Sequence, residues 1–330
     1  MWTRLKRNGV PNKIIGLIQA AHARYSCSVI HNGELSDEIE VQAGVRQGCL
    51  LSPLLFLITL DCVLHDALDN HSRGIQWGLH DQLESLEYAD DICLLSHTQE
   101  AMAAKLEDIR REAGKVGLKI NDAKTKEIRA GTGNARPILL SAEPVERVQH
   151  FTYLGSVVSE DGGASEDVDA RIAKARIAFT QLRKVWRTSM LSRRVKIQLF
   201  NSNVKSVLLF GCETWKVTDV ITQRLQVFVN RCLRTLTNIY WPNTITNSLL
   251  WKLCEQEPID LQIRHRKWKW IGHTLRKEHN NLAKQAMEWN PQGKRKQGRP
   301  KMTWRRTVAG EAESINKNWQ QLKVDANNRV

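Results

Sequence analysis

Apolar residues recur along this chain in two rhythms. In the first half, short alternating runs bounded by turn residues exchange with helical stripes; beyond about residue 165 helical stripes dominate. Residues 10–25, VPNKIIGLIQAAHARY, place Ile14, Ile15, Leu17, Ile18 and Ala21 on one side after a Pro-Asn start, which predicts a helix. CSVIHNGELSDEIEV follows, with Asn32-Gly33 as the turn of a hairpin. In GVRQGCLLSPLLFLITLDCVLHDALD a polar loop ends at Ser52, placed to cap a helix that begins at Pro53. SLEYADDICLLS, residues 85–96, reads as a second hairpin whose tight turn carries Asp90 and Asp91. Next come an amphipathic helix over 98–116, a cap at Gly117, a strand starting at Leu118–Ile120, and a turn-bearing β segment, HFTYLGSVVS, at 150–159. Three helical stripes follow: Ile172, Ala175, Phe179, Leu182 and Trp186; Val195, Leu199, Val204 and Leu208; Ile221, Leu225, Phe228, Cys232 and Leu236.

The texture therefore predicts an α+β region over 1–161, a helical region over 162–261, and a basic, Trp-punctuated tail over 262–330. At 330 residues with 42% hydrophobic content the chain can bury more than one core. Its formal charge of +14 is uneven: residues 1–100 carry −6, residues 101–200 carry +7, and residues 201–330 carry +13. The acidic hairpin thus lies in the acidic third of a basic protein, which suggests a polyanionic partner and a metal-dependent reaction. A basic surface also serves plain solubility.

Seven cysteines are scattered without a C-x-x-C pair, which predicts reduced thiols in an intracellular protein. Cys212, Cys232, Cys254, His265 and His273 match no compact zinc spacing. The start lacks the pattern of a secretory signal, and the longest apolar run is broken and too short to span a bilayer, so no membrane partner is expected.

Two adjacent carboxylates on a hairpin turn repel each other unless a cation lies in front of them, and hard oxygen donors suit Mg²⁺. Aspartate is also a common turn former, so the dipeptide alone leaves both readings open. The ordered set GVRQGCLLSPLLF, YADD, GLKINDAKTK and FTYLGS goes further. It resembles the reverse transcriptases of non-LTR retrotransposons (LINE elements), most like the RTE-type lineage. The resemblance implies a partial right-hand polymerase palm over 1–161, an antiparallel sheet packed on helices, followed by a thumb-like all-α region and the basic tail. It implies Mg²⁺-dependent nucleotidyl transfer with an RNA template, a DNA primer or DNA target, and a deoxynucleoside triphosphate. Asp90 would be a catalytic, metal-binding carboxylate and Asp91 its neighbour; Tyr88 would lie beneath the nucleotide and primer end. Gln47 and Gly48 resemble the loop along the nascent base pair, Lys124 the basic residue near the triphosphate, and Tyr153, Leu154 and Gly155 the primer-grip turn. Lys124 also reads as a surface lysine, and Tyr153–Gly155 as core packing.

The resemblance also calls for a third carboxylate, on a strand with the pattern apolar-Asp-x-x-x-Ala-Phe-Asp. Glu34, Asp37, Glu38 and Glu40 lie in the polar hairpin and do not match it. The expectation is an N-terminally truncated palm, inactive as a polymerase by itself unless another chain supplies that strand. The alternative is a non-catalytic nucleic-acid-binding remnant. In the tail, Arg264, Arg266, Lys267, Trp268, Lys269 and Trp270 suit phosphate contacts with base stacking, or equally an amphipathic helix with tryptophans inward. Lys294, Arg295 and Lys296 precede a Gly-Arg-Pro core, with Arg299 at its centre, that resembles a minor-groove hook, and such a cluster also suits nuclear import.

Overall fold

The computed structural model describes the chain except residues 1, 8, 24–25, 41–43, 45–47, 70–71, 79–80, 131–135, 291–301 and 329–330, and the side chains of Arg4 and Arg7. The protein is α+β, with small two-stranded sheets and many helices, and divides into two units. The first comprises Met1–Glu127 with Thr132–Arg147, the second Val148–Val330 with Ile128–Gly131. The boundary expected near 162 therefore falls earlier, and the 150–159 hairpin belongs to the helical unit. A division at 262 would cut helix Ile259–Leu275, so helices and tail form one body.

In the first unit, helices Trp2–Arg7 and Asn12–His22 pack on helix Ser52–Leu68 around Leu5, Ile15 and Leu55. The Asn32-Gly33 hairpin forms as the turn residues require, with Ile30 opposite Leu35 and His31 opposite Glu34. Ser52 does not cap its helix. It is the first helical residue, following Leu51, and its buried hydroxyl has no hydrogen-bond partner. Pro53 holds the start instead, where its missing N–H costs nothing. Helix Gln99–Lys115 is capped by Thr98, whose hydroxyl accepts from the Ala101 amide at 3.2 Å. Leu118–Ile120 forms no strand; Leu118 and Ile120 fill the core beside Leu60, Leu64 and Ile109.

The second unit is built on one large core that includes Val168, Ala175, Trp186, Phe200, Leu225, Leu233 and Leu250, the residues of the three predicted stripes and their neighbours. Helices Ser165–Gln181, Arg193–Phe200 and Asp219–Leu236 pack there, with a π turn at Asn201–Lys205; Val195, expected on the second stripe, is instead exposed, and Ile197 and Phe200 are the buried apolar residues of its helix. A second core of Ile271, Leu275, Met287 and Val308, flanked by Trp268, Trp270, Trp304 and Trp319, joins helix Ile259–Leu275 to helices Leu282–Glu288 and Trp304–Glu313. Among the described residues no helix is long and apolar enough to cross a membrane.

Candidate functional site

Strands Ser85–Tyr88 and Asp91–Leu94 pair antiparallel with Leu86 opposite Cys93, Glu87 opposite Ile92 and Tyr88 opposite Asp91. The two-residue turn is therefore Ala89-Asp90, and Asp91 opens the second strand rather than sitting in the turn. Ala89 takes φ +55°, the left-handed sign that the favoured hairpin turns require, at a cost of about 1 kcal/mol for a residue with a Cβ. Alternation sends Ile92 and Leu94 into the core with Phe56, Leu60 and Leu64. The opposite face carries Tyr88, 66% exposed, beside the exposed Asp91. Asp90 projects at the tip, also exposed. One hairpin thus presents two carboxylates and a phenol ring on a turn whose other side is anchored in the core.

The base of this hairpin is fastened by a buried cation. Lys105, fully buried on helix Gln99–Lys115, donates to the main-chain carbonyls of Glu84 at 3.0 Å and Leu95 at 2.6 Å, the residues just outside the two strands. Its ammonium also lies 2.6 Å from the Glu84 carboxylate, which accepts from the Arg73 and Gly74 amides at 2.8 Å each. A side chain at Gly74 would meet the Leu83 carbonyl at 2.3 Å, so glycine is required there. Burial opposes the Glu84 charge, yet the donors from Lys105, Arg73 and Gly74 prevail and hold its carboxyl below the usual range. At Lys105 burial prevails over the attraction of Glu84, and the ammonium lies below the ordinary lysine value.

Other predicted site residues are dispersed. Gly48 precedes the helix beneath the hairpin and takes φ +84°, which glycine alone adopts freely. Lys124 is exposed, its amide 3.1 Å from the Asn121 side-chain oxygen in a turn. Tyr153, Leu154 and Gly155 lie at the tip of the hairpin His150–Tyr153 and Ser156–Ser159, with φ of +48° at Leu154 and +84° at Gly155. This turn rests on helix Ser165–Gln181: Arg171 donates to the Gly155 carbonyl, and Asp167 accepts from the Val157 amide at 2.9 Å and the Trp215 indole at 2.8 Å. Gln47, Lys294, Arg295, Lys296 and Arg299 lie outside the described residues.

The tail residues divide by helical period. Ile263, Lys267 and Ile271 form the buried stripe of helix Ile259–Leu275. Lys267, 2% exposed, lies 2.5 Å from the Glu311 carboxylate, and the Trp268 indole donates to the same group at 2.8 Å. Trp270 meets Trp304 edge-on at 6.1 Å, and Arg266 is half-buried beside the Cys212 thiol. These four serve the packing of the helical unit rather than a solvent-facing tail, whereas Arg264 and Lys269 are exposed. Sequence reasoning missed Lys105, Arg171 and Lys267 as anchors. The available signal was their place at i+3 or i+4 on otherwise apolar stripes.

The fit to Mg²⁺ is partial. Asp90 and Asp91 are hard oxygen donors of the right kind. Among the described residues no group of three or more His, Cys, Asp or Glu side chains is arranged to hold a metal. Two carboxylates do not complete the site, and no bond-making step follows from them alone.

Comparison with known proteins places the hairpin within a family match. Residues 2–158 match the family described as reverse transcriptase (RNA-dependent DNA polymerase), and residues 178–210 match a domain of unknown function. A Caenorhabditis elegans protein described as transposon-derived is 25% identical over 236 residues, covering 67% of this chain and 82% of that protein. The Pol polyprotein of the type-1 retrotransposable element R2 from Popillia japonica is 24% identical over 242 residues, 70% of this chain and 38% of its own length. An RNA-directed DNA polymerase from the Drosophila melanogaster transposon X-element is 24% identical over 249 residues, 70% of this chain and 26% of its own. The chain spans well under half the length of these polymerase relatives. Residues 2–158, with the Asp90–Asp91 hairpin inside them, match the reverse-transcriptase family, and the chain is similar to the Pol proteins of R2 and X-element non-LTR retrotransposons.

Proposed function

We propose that the first unit is the carboxylate-bearing part of the palm of an RNA-directed DNA polymerase, and that the helical unit acts as its thumb. The observation that supports this best is the 85–94 hairpin: Asp90 at the tip, Asp91 and Tyr88 on one exposed face, and the opposite face anchored by Ile92 and Leu94. Rigid presentation of adjacent carboxylates costs free energy that folding alone does not require. In this reading Asp90 and Asp91 are two ligands of a Mg²⁺ site completed by a carboxylate from elsewhere. Gly48 and Lys124 face the incoming nucleotide, and Tyr153–Gly155 faces the primer. Arg264 and Lys269 contribute phosphate contacts, while Lys267 and Trp268, committed to Glu311, do not.

The chain by itself binds a DNA primer annealed to an RNA template but does not extend it, because chemical units of this kind fail when one member is missing. The test is gel-resolved primer extension with Mg²⁺ and nucleotides, alongside binding measured by fluorescence anisotropy on the same duplex. Extension that is Mg²⁺-dependent and lost in Asp90→Asn would overturn the incompleteness of the site. Absence of any binding would remove the assignment of the primer and template surfaces.

A further inference from the structure

Phe210 is half exposed, at 50%, on the turn that ends helix Ser206–Leu208. One face of its ring lies 4.3 Å from the Arg171 guanidinium carbon. That guanidinium is itself buried, donates to the Gly155 carbonyl, and pairs with Asp167 at 3.7 Å. A Cβ placed on Gly155 would lie 3.8 Å from the Phe210 ring. Next to Phe210, a Cβ on Gly211 would come within 3.0 Å of the Ser156 hydroxyl, and Gly211 takes φ +76°. Three separate segments therefore converge: the 154–155 turn, the helix bearing Arg171, and the 209–211 turn. On the ledge they form, Phe210 is exposed beside Gly155, and Leu154, the other residue of that left-handed turn, is exposed as well.

We infer that Phe210 is a further nucleic-acid-binding residue, which packs its outer ring face against a base or sugar of the strand held at the Tyr153–Gly155 turn, and that Arg171 is the positioning residue that fixes both. This rests on the assignment of that turn to the primer. Three features select a nucleic-acid strand as the occupant. Residues 201–330 carry +13, a field that concentrates polyanions. The neighbouring turn lies within the stretch that matches reverse transcriptases. An aromatic ring with a guanidinium on its inner face is suited to continue the stack with a base on its outer face. Leucine at 210 would still shield Arg171 from solvent but would offer no π face.

The test uses the full chain and a fluorescent DNA primer annealed to an RNA template, with anisotropy read at fixed salt. Phe210→Ala is expected to weaken binding about tenfold, the size of one lost base–aromatic stack, while Phe210→Trp retains it. A primer carrying 5-iodouracil near its 3′ end should photo-crosslink to the peptide containing Phe210. Arg171→Met should weaken binding and raise amide exchange at 153–157 without altering exchange in helix Asp219–Leu236. If Leu154→Ser weakens binding but Phe210→Ala does not, the inference fails while the primer-turn assignment stands. If Phe210→Ala weakens binding but Leu154→Ser does not, the turn assignment fails, and the inference as stated is overturned with it. If the chain instead self-associates in sedimentation and Phe210→Ala abolishes that without changing binding, a second copy occupies the ledge and the inference is overturned.

Discussion

The Lys105 ammonium, with no solvent exposure, lies 2.6 Å from the Glu84 carboxylate while bonding the main chain on both sides of the carboxylate hairpin. A helix thereby grips the hairpin at its base, opposite the end that carries Asp90. Lys105→Met should cost about 3 kcal/mol, because it strands a largely buried carboxylate and frees two carbonyls. Adding Glu84→Gln should recover part of that loss. Urea unfolding of the single and double variants measures both, and equal destabilisation by the two would refute the pairing.

Asp90 and Asp91 are placed for a ligand rather than for stability. Both are exposed, and among the described residues neither has a cationic side chain in salt-bridge contact. Asp90→Asn and Asp91→Asn should each leave unfolding free energy within about 0.5 kcal/mol of the parent chain. A loss well beyond that in urea titration would show a structural role for the pair.

The pH dependence of stability should turn over near pH 9. Lys205 is buried in the π turn, and burial, with Arg266 adding to it against the opposing pull of Glu257 and Cys254, lowers its pKa to about 8. Between its folded value and 10.5 the unfolded chain holds the extra proton, so this group makes stability rise with pH. Burial pushes the Cys212 and Cys232 thiols up to about 12. There the folded chain holds the protons, so stability falls as pH rises above the ordinary thiol value of 9.0. Urea midpoints under reducing conditions should climb from pH 8 to 9, on the order of 1 kcal/mol, and then decline. Lys205→Met should abolish the climb and leave the decline.

Glu311 holds two partners from one helix, the Lys267 ammonium at 2.5 Å and the Trp268 indole N–H at 2.8 Å. Glu311→Ala leaves a buried cation unpaired and should cost about 3 kcal/mol. Amide exchange should rise first in helix Trp304–Glu313, with a change in tryptophan fluorescence. Glu311→Gln, which keeps an acceptor for the indole, should cost less.

Much of this protein could be read from local pattern. Asn32-Gly33 specified one hairpin, Thr98 and the stripe through Leu106, Ile109 and Ala113 specified a helix, and the spacing of the Gln-Gly loop to the Asp-Asp turn pointed to the family. The hairpin and the helix depend on neighbours within a few residues, where backbone sterics and side-chain period decide the outcome. Tertiary structure decided which cations were solvent charges and which were anchors. Lys105, Arg171 and Lys267 are of the same residue types as Lys124, Lys269 or Arg264, and only their place on apolar stripes sets them apart in sequence. Each of the three falls on a buried stripe and survives there because a carboxylate or carbonyl from another segment meets it: Glu84 for Lys105, the Gly155 carbonyl for Arg171, and Glu311 for Lys267. The domain boundary followed the same logic. The sequence texture changes after residue 162, but the 150–159 hairpin is bonded to Asp167 and Arg171 and so belongs with the helices. A charge can be buried only with its partner in place, and that partner is set by the fold rather than by the neighbours in the chain.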